Sequence, residues 1–255
     1  MTHTRNPWRP DLIDLTRPLT EETIWALLGD LADGEPPPYY RDLAVEVVSD
    51  LDTATATACM VRLPDHAGTH VDAPIHMVAG GGRLESLDLS LLVGEAVVLD
   101  LVPDDDPDHG YTAEELAAAM PAVEPGDIVL IRSGFEDAGP GVHMHQCYLT
   151  GEAATWLVER GARAVGVEPA SVDHVRDGYL RGWGEKRDGG DVPWPAHRIL
   201  LESGVPIVEG LYDLGRIAGE RVHFAALPAL VPGLSGFPVR AVAWRPEGGR
   251  ESRQR

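Results

Sequence analysis

The stretch His66-Ala67-Gly68-Thr69-His70-Val71-Asp72-Ala73-Pro74-Ile75-His76 places three of the chain's ten histidines and one carboxylate within eleven residues. Residues 66, 70, 72 and 76 share even parity, so a fully extended chain would aim all four side chains at one face. Ten steps of strand nevertheless span roughly 33 Å, whereas the ligands of one metal ion converge within about 2.0–2.2 Å of it. The segment therefore has to bend, and Gly68 and Pro74 are the residues that permit it. Imidazole nitrogen with carboxylate oxygen and no thiolate suits Zn²⁺, Mn²⁺ or Fe²⁺ at a reactive site, because closed structural zinc sites are usually cysteine-rich. A catalytic metal cluster is the expectation.

Working outward, Leu12, Ile13 and Leu15 begin a strand, and Thr20-Glu21-Glu22-Thr23 leads into Ile24, Trp25, Leu27, Leu28 and Leu31 at helical spacing. Pro36-Pro37-Pro38 ends any regular element there. Leu43 to Val48 and Ala54 to Leu63 read as strands, so two strands precede the histidines. Beyond the stretch, Gly80-Gly81-Gly82 marks a turn and Glu95 to Leu101 a strongly apolar strand. Thr112-x-x-Glu115 is a capping box ahead of a short helix at Leu116 to Met120. Asp127 to Arg132 reads as a buried strand, Thr150 to Arg160 as a helix stopped at Gly161, and Arg163 to Val167 as another strand. Pro169 to Pro195 is glycine-rich without apolar periodicity and is expected to be a long loop kept for a functional reason. Ala196 to Ser203 is expected as a helix, and Val205 to Val208, Val222 to Leu227 and Val239 to Trp244 as strands. The alternation gives a mixed α/β fold, a central sheet with flanking helices in one domain over residues 11–245. The polar ends, 1–10 and 246–255, are expected to be flexible.

With 21 Lys+Arg against 41 Asp+Glu the formal charge is −20, and 44% apolar residues suffice for a core. An acidic surface repels phosphate backbones and anionic lipid, which excludes nucleic acid and membrane partners. Cys59 and Cys147 stand apart with no C-x-x-C spacing, as expected of ordinary buried thiols in a reducing compartment. No run approaches the ~18 apolar residues of a membrane span, and the N-terminus has no apolar signal region, so a cytoplasmic location is expected.

The pattern H-x-G-T-H-x-D-x-P-x-H, with Asp14-Leu15-Thr16, Ile131-Arg132-Ser133-Gly134, Ile207-Val208-Glu209-Gly210 and Ala226-Leu227-Pro228, resembles the metal-dependent cyclase/hydrolase family that includes bacterial kynurenine formamidase and isatin hydrolase. The resemblance covers most of residues 12–244. It implies a swivelling β/β/α fold, His66, His70 and Asp72 as metal ligands, Asp72 as a possible bridge to a second ion, and His76 as catalytic acid/base. It also implies a second cluster, a helix histidine followed twelve residues later by a glutamate before glycine, which His197 and Glu209 match in AHRILLESGVPIVEG. Independently, a glutamate ending the apolar run Val205 to Val208 is a costly neighbour for a core unless a cation compensates it. Zn²⁺ or Mn²⁺, one or two per chain, a small-molecule substrate and a homodimer or larger homo-oligomer follow from the resemblance.

Where formamidases carry an aromatic directly before Pro-Gly-Asp, this chain has Trp25 followed by Ala26-Leu27-Leu28 before Gly29-Asp30. Trp25 and, after the strand that ends at Glu168, His174 are the candidate substrate contacts. The expected chemistry is hydrolysis of a small amide, with an N-formyl arylamine such as N-formylkynurenine as first candidate and tryptophan catabolism as its setting. Lactam or lactone hydrolysis of the isatin-hydrolase type, or a cyclase of secondary metabolism, is the alternative. Outside the class, His70, Asp72 and His197 could form the two-histidine, one-carboxylate triad of a non-haem Fe(II) oxygenase, which leaves His66, His76 and Glu209 unused. A metal-binding protein without catalysis is the third reading.

Overall fold

The computed structural model describes residues 11–20, 43–103, 106, 108–135, 147–174 and 194–246. The expected helix around 24–31, the 36–38 proline run, Trp25, most of the long loop and nearly all of both polar ends lie outside them. Among the described residues twelve strands and three α-helices follow in order: β1 (Ile13–Asp14), β2 (Ala44–Ser49), β3 (Ala58–Arg62), β4 (His70–Asp72), β5 (Val93–Asp100), β6 (Gly110–Tyr111), α1 (Ala113–Ala118), β7 (Ile128–Arg132), β8 (Tyr148–Leu149), α2 (Gly151–Arg160), β9 (Ala164–Val167), α3 (Pro195–Glu202), β10 (Ile207–Glu209), β11 (Arg221–Pro228) and β12 (Gly236–Trp244).

The main sheet runs β1-β12-β11-β5-β7-β9-β10-β4, and β4 also pairs with β12. That last pairing closes seven strands on themselves, so the expected central sheet is a barrel-like one. Strands β5, β7, β9 and β10 are mutually parallel, and β11, β12 and β4 join antiparallel. Strict alternation along the parallel strands separates two cores. Ala96, Val98, Ile128, Leu130, Ala164 and Val208 pack inside the closed sheet with Val71 and Phe224. Val97, Leu99, Val129, Ile131, Val165 and Ile207 face outward under the helices, against Leu116, Leu157 and Leu200. Burying each Val, Leu, Ile or Phe side chain among these contributes about 1.5–3 kcal/mol, which holds the register of the strands that carry them.

The helix ends follow their sequence signals. Thr112 and Glu115 form the reciprocal capping box of α1, and Gly161 ends α2 in the left-handed conformation with φ 85°. Strands β2 and β3 form a separate two-stranded sheet whose residues are mostly exposed. Cys147 is buried, but Cys59 lies exposed on β3, contrary to the expectation of two buried thiols. No helix among the described residues is long and apolar enough to cross a membrane.

Candidate metal and catalytic site

The bend demanded by the histidine spacing is present. Gly68 takes φ +61°, β4 holds only His70-Val71-Asp72, and Pro74–His76 turn as a 3-10 helix. The strand lies between β10 and β12, with Glu209 opposite His70 and Gly236 opposite Asp72. A Cβ at Gly236 would stand 2.6 Å from His66 Cε1, so the glycine makes room for that ring. Alternation sends Val71 into the barrel and His70 and Asp72 outward, onto the face that Glu209 shares and that His197 of α3 covers.

The sequence-predicted ligands converge there. His66 Nδ1 lies 2.7 Å from Asp72 Oδ1, and His70 Nε2 lies 3.4 Å from the same oxygen and 3.6 Å from Glu209 Oε2. His197 Nε2 is 3.1 Å from Glu209 Oε1 and 3.5 Å from Asp72 Oδ2. Among the described residues two groups have the spacing to hold an ion, His66-Asp72-His76 and His70-Asp72-Glu209, and Asp72 belongs to both. Asp72, fully buried, has both oxygens without a hydrogen-bond partner, as does His66 Nδ1. Buried carboxylate oxygens left unbonded are costly. An all-nitrogen-and-oxygen set converging on them fits a hard or borderline divalent cation.

Three of the histidines have one ring nitrogen tied to an acceptor outside the cluster. His70 Nδ1 donates to Gly68 O at 2.8 Å, which leaves Nε2 facing the carboxylates. Ser235 Oγ donates to Asp65 Oδ2 at 2.8 Å and so accepts from His66 Nε2 at 2.9 Å, which leaves Nδ1 facing Asp72. His197 Nδ1 donates to Asp173 Oδ2 at 2.7 Å. His76 differs. Its ring lies against His66, with centroids 4.0 Å apart, and no hydrogen bond among the described residues fixes it.

Electrostatics separates the same groups. Burial lowers the pKa of His70, but Asp72 and Glu209 outweigh it and lift the value to about 9. His197 is likewise raised, burial being overcome by Glu209, Asp173 and Asp72. Asp72 is held well below the ordinary carboxylate range, since His76, His66 and His197 outweigh its burial. Burial, with His66, His197 and His70 nearby, pushes His76 down to about 3 despite Asp72.

His174 is placed differently from its neighbours. Its Nε2 is 3.5 Å from Asp108 and its ring meets Tyr148 edge-on, while Asp173 beside it reaches the cluster. The sequence reading singled out the histidine of Ser171-Val172-Asp173-His174 and missed the aspartate, whose partner lies across the fold.

The Cyclase family model matches residues 13–174. The chain belongs to that family. A kynurenine formamidase of Salinibacter ruber is 30% identical over 200 residues, 75% of this chain and 81% of the relative. An isatin hydrolase of Roseibium aggregatum is 26% identical over 204 residues, 72% of this chain and 73% of that one. Among solved structures, an isatin hydrolase bound to the product analogue thioisatinate superposes with TM-score 0.73 at 23% identity, covering 93% of each chain, a likeness of fold. The protein is thus a hydrolytic enzyme of the Cyclase family.

Proposed function

We propose that this cyclase-family hydrolase cleaves the C–N bond of a small amide, an N-formyl arylamine of the N-formylkynurenine type being the first candidate. In this reading His66, His70, Asp72, His197 and Glu209 hold Zn²⁺ or Mn²⁺, and His76 moves the proton. The contrast among the histidines carries the assignment: three are locked with one nitrogen turned toward the carboxylates, and among the described residues no hydrogen bond fixes the fourth beside them. A divalent ion, when bound, lowers the pKa of its water from 15.7 toward about 7 and polarises a carbonyl.

The chain's own groups supply the rest. Asp72, with both oxygens buried and unbonded, belongs to both groups with ligand spacing and would help hold an ion in either, with Glu209 beside it in the second. Five nitrogen and oxygen donors exceed what one tetrahedral Zn²⁺ requires, which favours two ions per chain. His76 accepts a proton at a ring nitrogen during attack and returns it to the departing nitrogen, a contribution of roughly 10²–10⁴-fold. Lactam or lactone opening is the second reading, favoured by the isatin hydrolase relative, and it would use the same groups.

The finer assignments belong to the same proposal. The closed sheet with helices on one flank supports the swivelling β/β/α type, the acidic composition supports an enzyme free of nucleic acid, and the free Cys59 and Cys147 support a reducing, cytoplasmic setting. A homodimer is supported by the exposed apolar residues of the β2–β3 pair.

Metal titration joined to a hydrolysis screen tests the reading. The wild-type protein should approach two equivalents per chain and hydrolyse an aryl formamide, whereas His70→Ala should lose metal affinity by more than the about 10–100-fold that an outer-shell partner is worth. Full metal content in His70→Ala would end the ligand assignment. Turnover of isatin-like lactams alone would select the second reading.

A further inference from the structure

Helix α3 begins without a local cap. Its first flanking residue, Trp194, is in the left-handed conformation at φ 64°, offers no capping oxygen, and is followed by Pro195. The capping acceptor comes from 21 residues earlier in the chain. Asp173 Oδ1 accepts from Ala196 N at 2.9 Å, and Asp173 Oδ2 accepts from His197 N at 2.9 Å and from the His197 ring Nδ1 at 2.7 Å. One buried carboxylate thus fixes where the helix starts and which ring nitrogen of His197 carries hydrogen. With Nδ1 held by Asp173, Nε2 is the nitrogen turned to Glu209 Oε1 and Asp72 Oδ2, and it is the one that would give its lone pair to an ion there.

The segment that carries Asp173 also holds Glu209. Val172 N donates to Glu209 Oε1 at 2.8 Å, Gly210 N donates to Pro169 O at 2.9 Å, and Leu149 N donates to Val172 O at 2.8 Å. Residues 169–173 are therefore anchored at β8 and at the end of β10, and from there orient both members of the second ligand pair. We infer that Asp173 is the positioning residue of the His197–Glu209 half of the site, setting the His197 tautomer through which that half takes up its ion. The inference rests on the metal-ligand reading given above.

Asp173→Asn separates positioning from capping. Asparagine caps a helix about as well as aspartate, so a purely structural role predicts unchanged metal affinity in this variant. A side-chain NH₂ at Oδ2, however, would face two donors, the His197 backbone N–H and its ring Nδ1–H. With the NH₂ at Oδ1 it would instead face the Ala196 N–H, so in either orientation the negative charge that holds Nδ1–H is lost and the hold on the tautomer weakens.

Equilibrium titration with Zn²⁺ should show one of the two equivalents weakened about 10–100-fold in Asp173→Asn. Asp173→Glu, which restores a carboxylate, should recover part of that loss. Ring ¹⁵N spectra of the zinc-loaded wild type should report His197 protonated at Nδ1 with Nε2 engaged by the ion, a pairing that Asp173→Asn should populate only in part. Unchanged zinc affinity with Nδ1 still protonated would overturn the inference. Should Asp173→Asn not fold, Asp173→Ser, whose hydroxyl also caps a helix, takes its place: wild-type affinity for both equivalents would overturn the inference, and one weakened equivalent would support it. Wild-type protein that binds no zinc would instead remove the metal reading itself, whereas two tight equivalents in both wild type and Asp173→Asn would remove only the role of Asp173.

Discussion

At Asp72 a carboxylate has no exposed surface, while on the β2–β3 hairpin Val45, Val47 and Val61 are 65%, 60% and 55% exposed. The polar group is inside and the apolar groups are outside. Val45 pairs with Val61 and Val47 with Cys59, so these four line one face of a sheet only two strands wide. A two-stranded sheet is marginal in water unless something packs on it, whereas β4 is hydrogen-bonded by strands on both edges. Burial of charge is thus tolerated where the surrounding frame is fully paired. The hairpin has an apolar face and, among the described strands, pairs only within itself, so a second copy of the chain is its proposed cover.

Removing the imidazole of His76 should produce the largest change at the buried end of this contrast. His76→Ala is expected to lower kcat about 10²–10⁴-fold while keeping metal content and melting temperature near wild type, measured by steady-state kinetics beside elemental analysis. Near-normal turnover would take His76 out of the proton-transfer role, and loss of metal would make it a ligand.

Glu209→Gln should have the next largest effect, reducing the metal plateau from two equivalents per chain to one. A plateau of one in both proteins would mean that His197 and Glu209 hold no ion of their own. The smallest effect is expected at the exposed end: Val47→Asp with Val61→Asp should change the unfolding free energy of a single chain by no more than about 0.5 kcal/mol. Light scattering should nonetheless show the pair of substitutions shifting the protein to monomer. An unchanged dimer would place the subunit contact elsewhere.

Elements with a local signal were legible in the sequence. The capping box at Thr112 and Glu115, the stop at Gly161 and the apolar run IVLIR each depend on neighbours a few residues away, and each lies within a residue or two of its expected place. Barrel closure was not legible, because it depends on residues 236–238 meeting 70–72, a pairing with no local mark. The site divides in the same way. Regular spacing betrayed the histidines around Asp72, but Asp173 looks like any loop aspartate until α3 is brought to it. Cys59 sits in a run that reads as a strand, and nothing in that run tells which strand faces will be covered.

The short strand β4 has no free edge, and Val71 is anchored in the barrel interior between the two outward-facing groups. Slipping it by one residue would drive His70 or Asp72 into hydrocarbon and turn Val71 outward, an error whose cost grows with every neighbouring side chain displaced. Positional accuracy of His70 and Asp72 is therefore inherited from topology, whereas His197 and Glu209 depend also on the 169–173 segment that holds them. A connection that makes no such hold can change length and composition while these two groups stay in register.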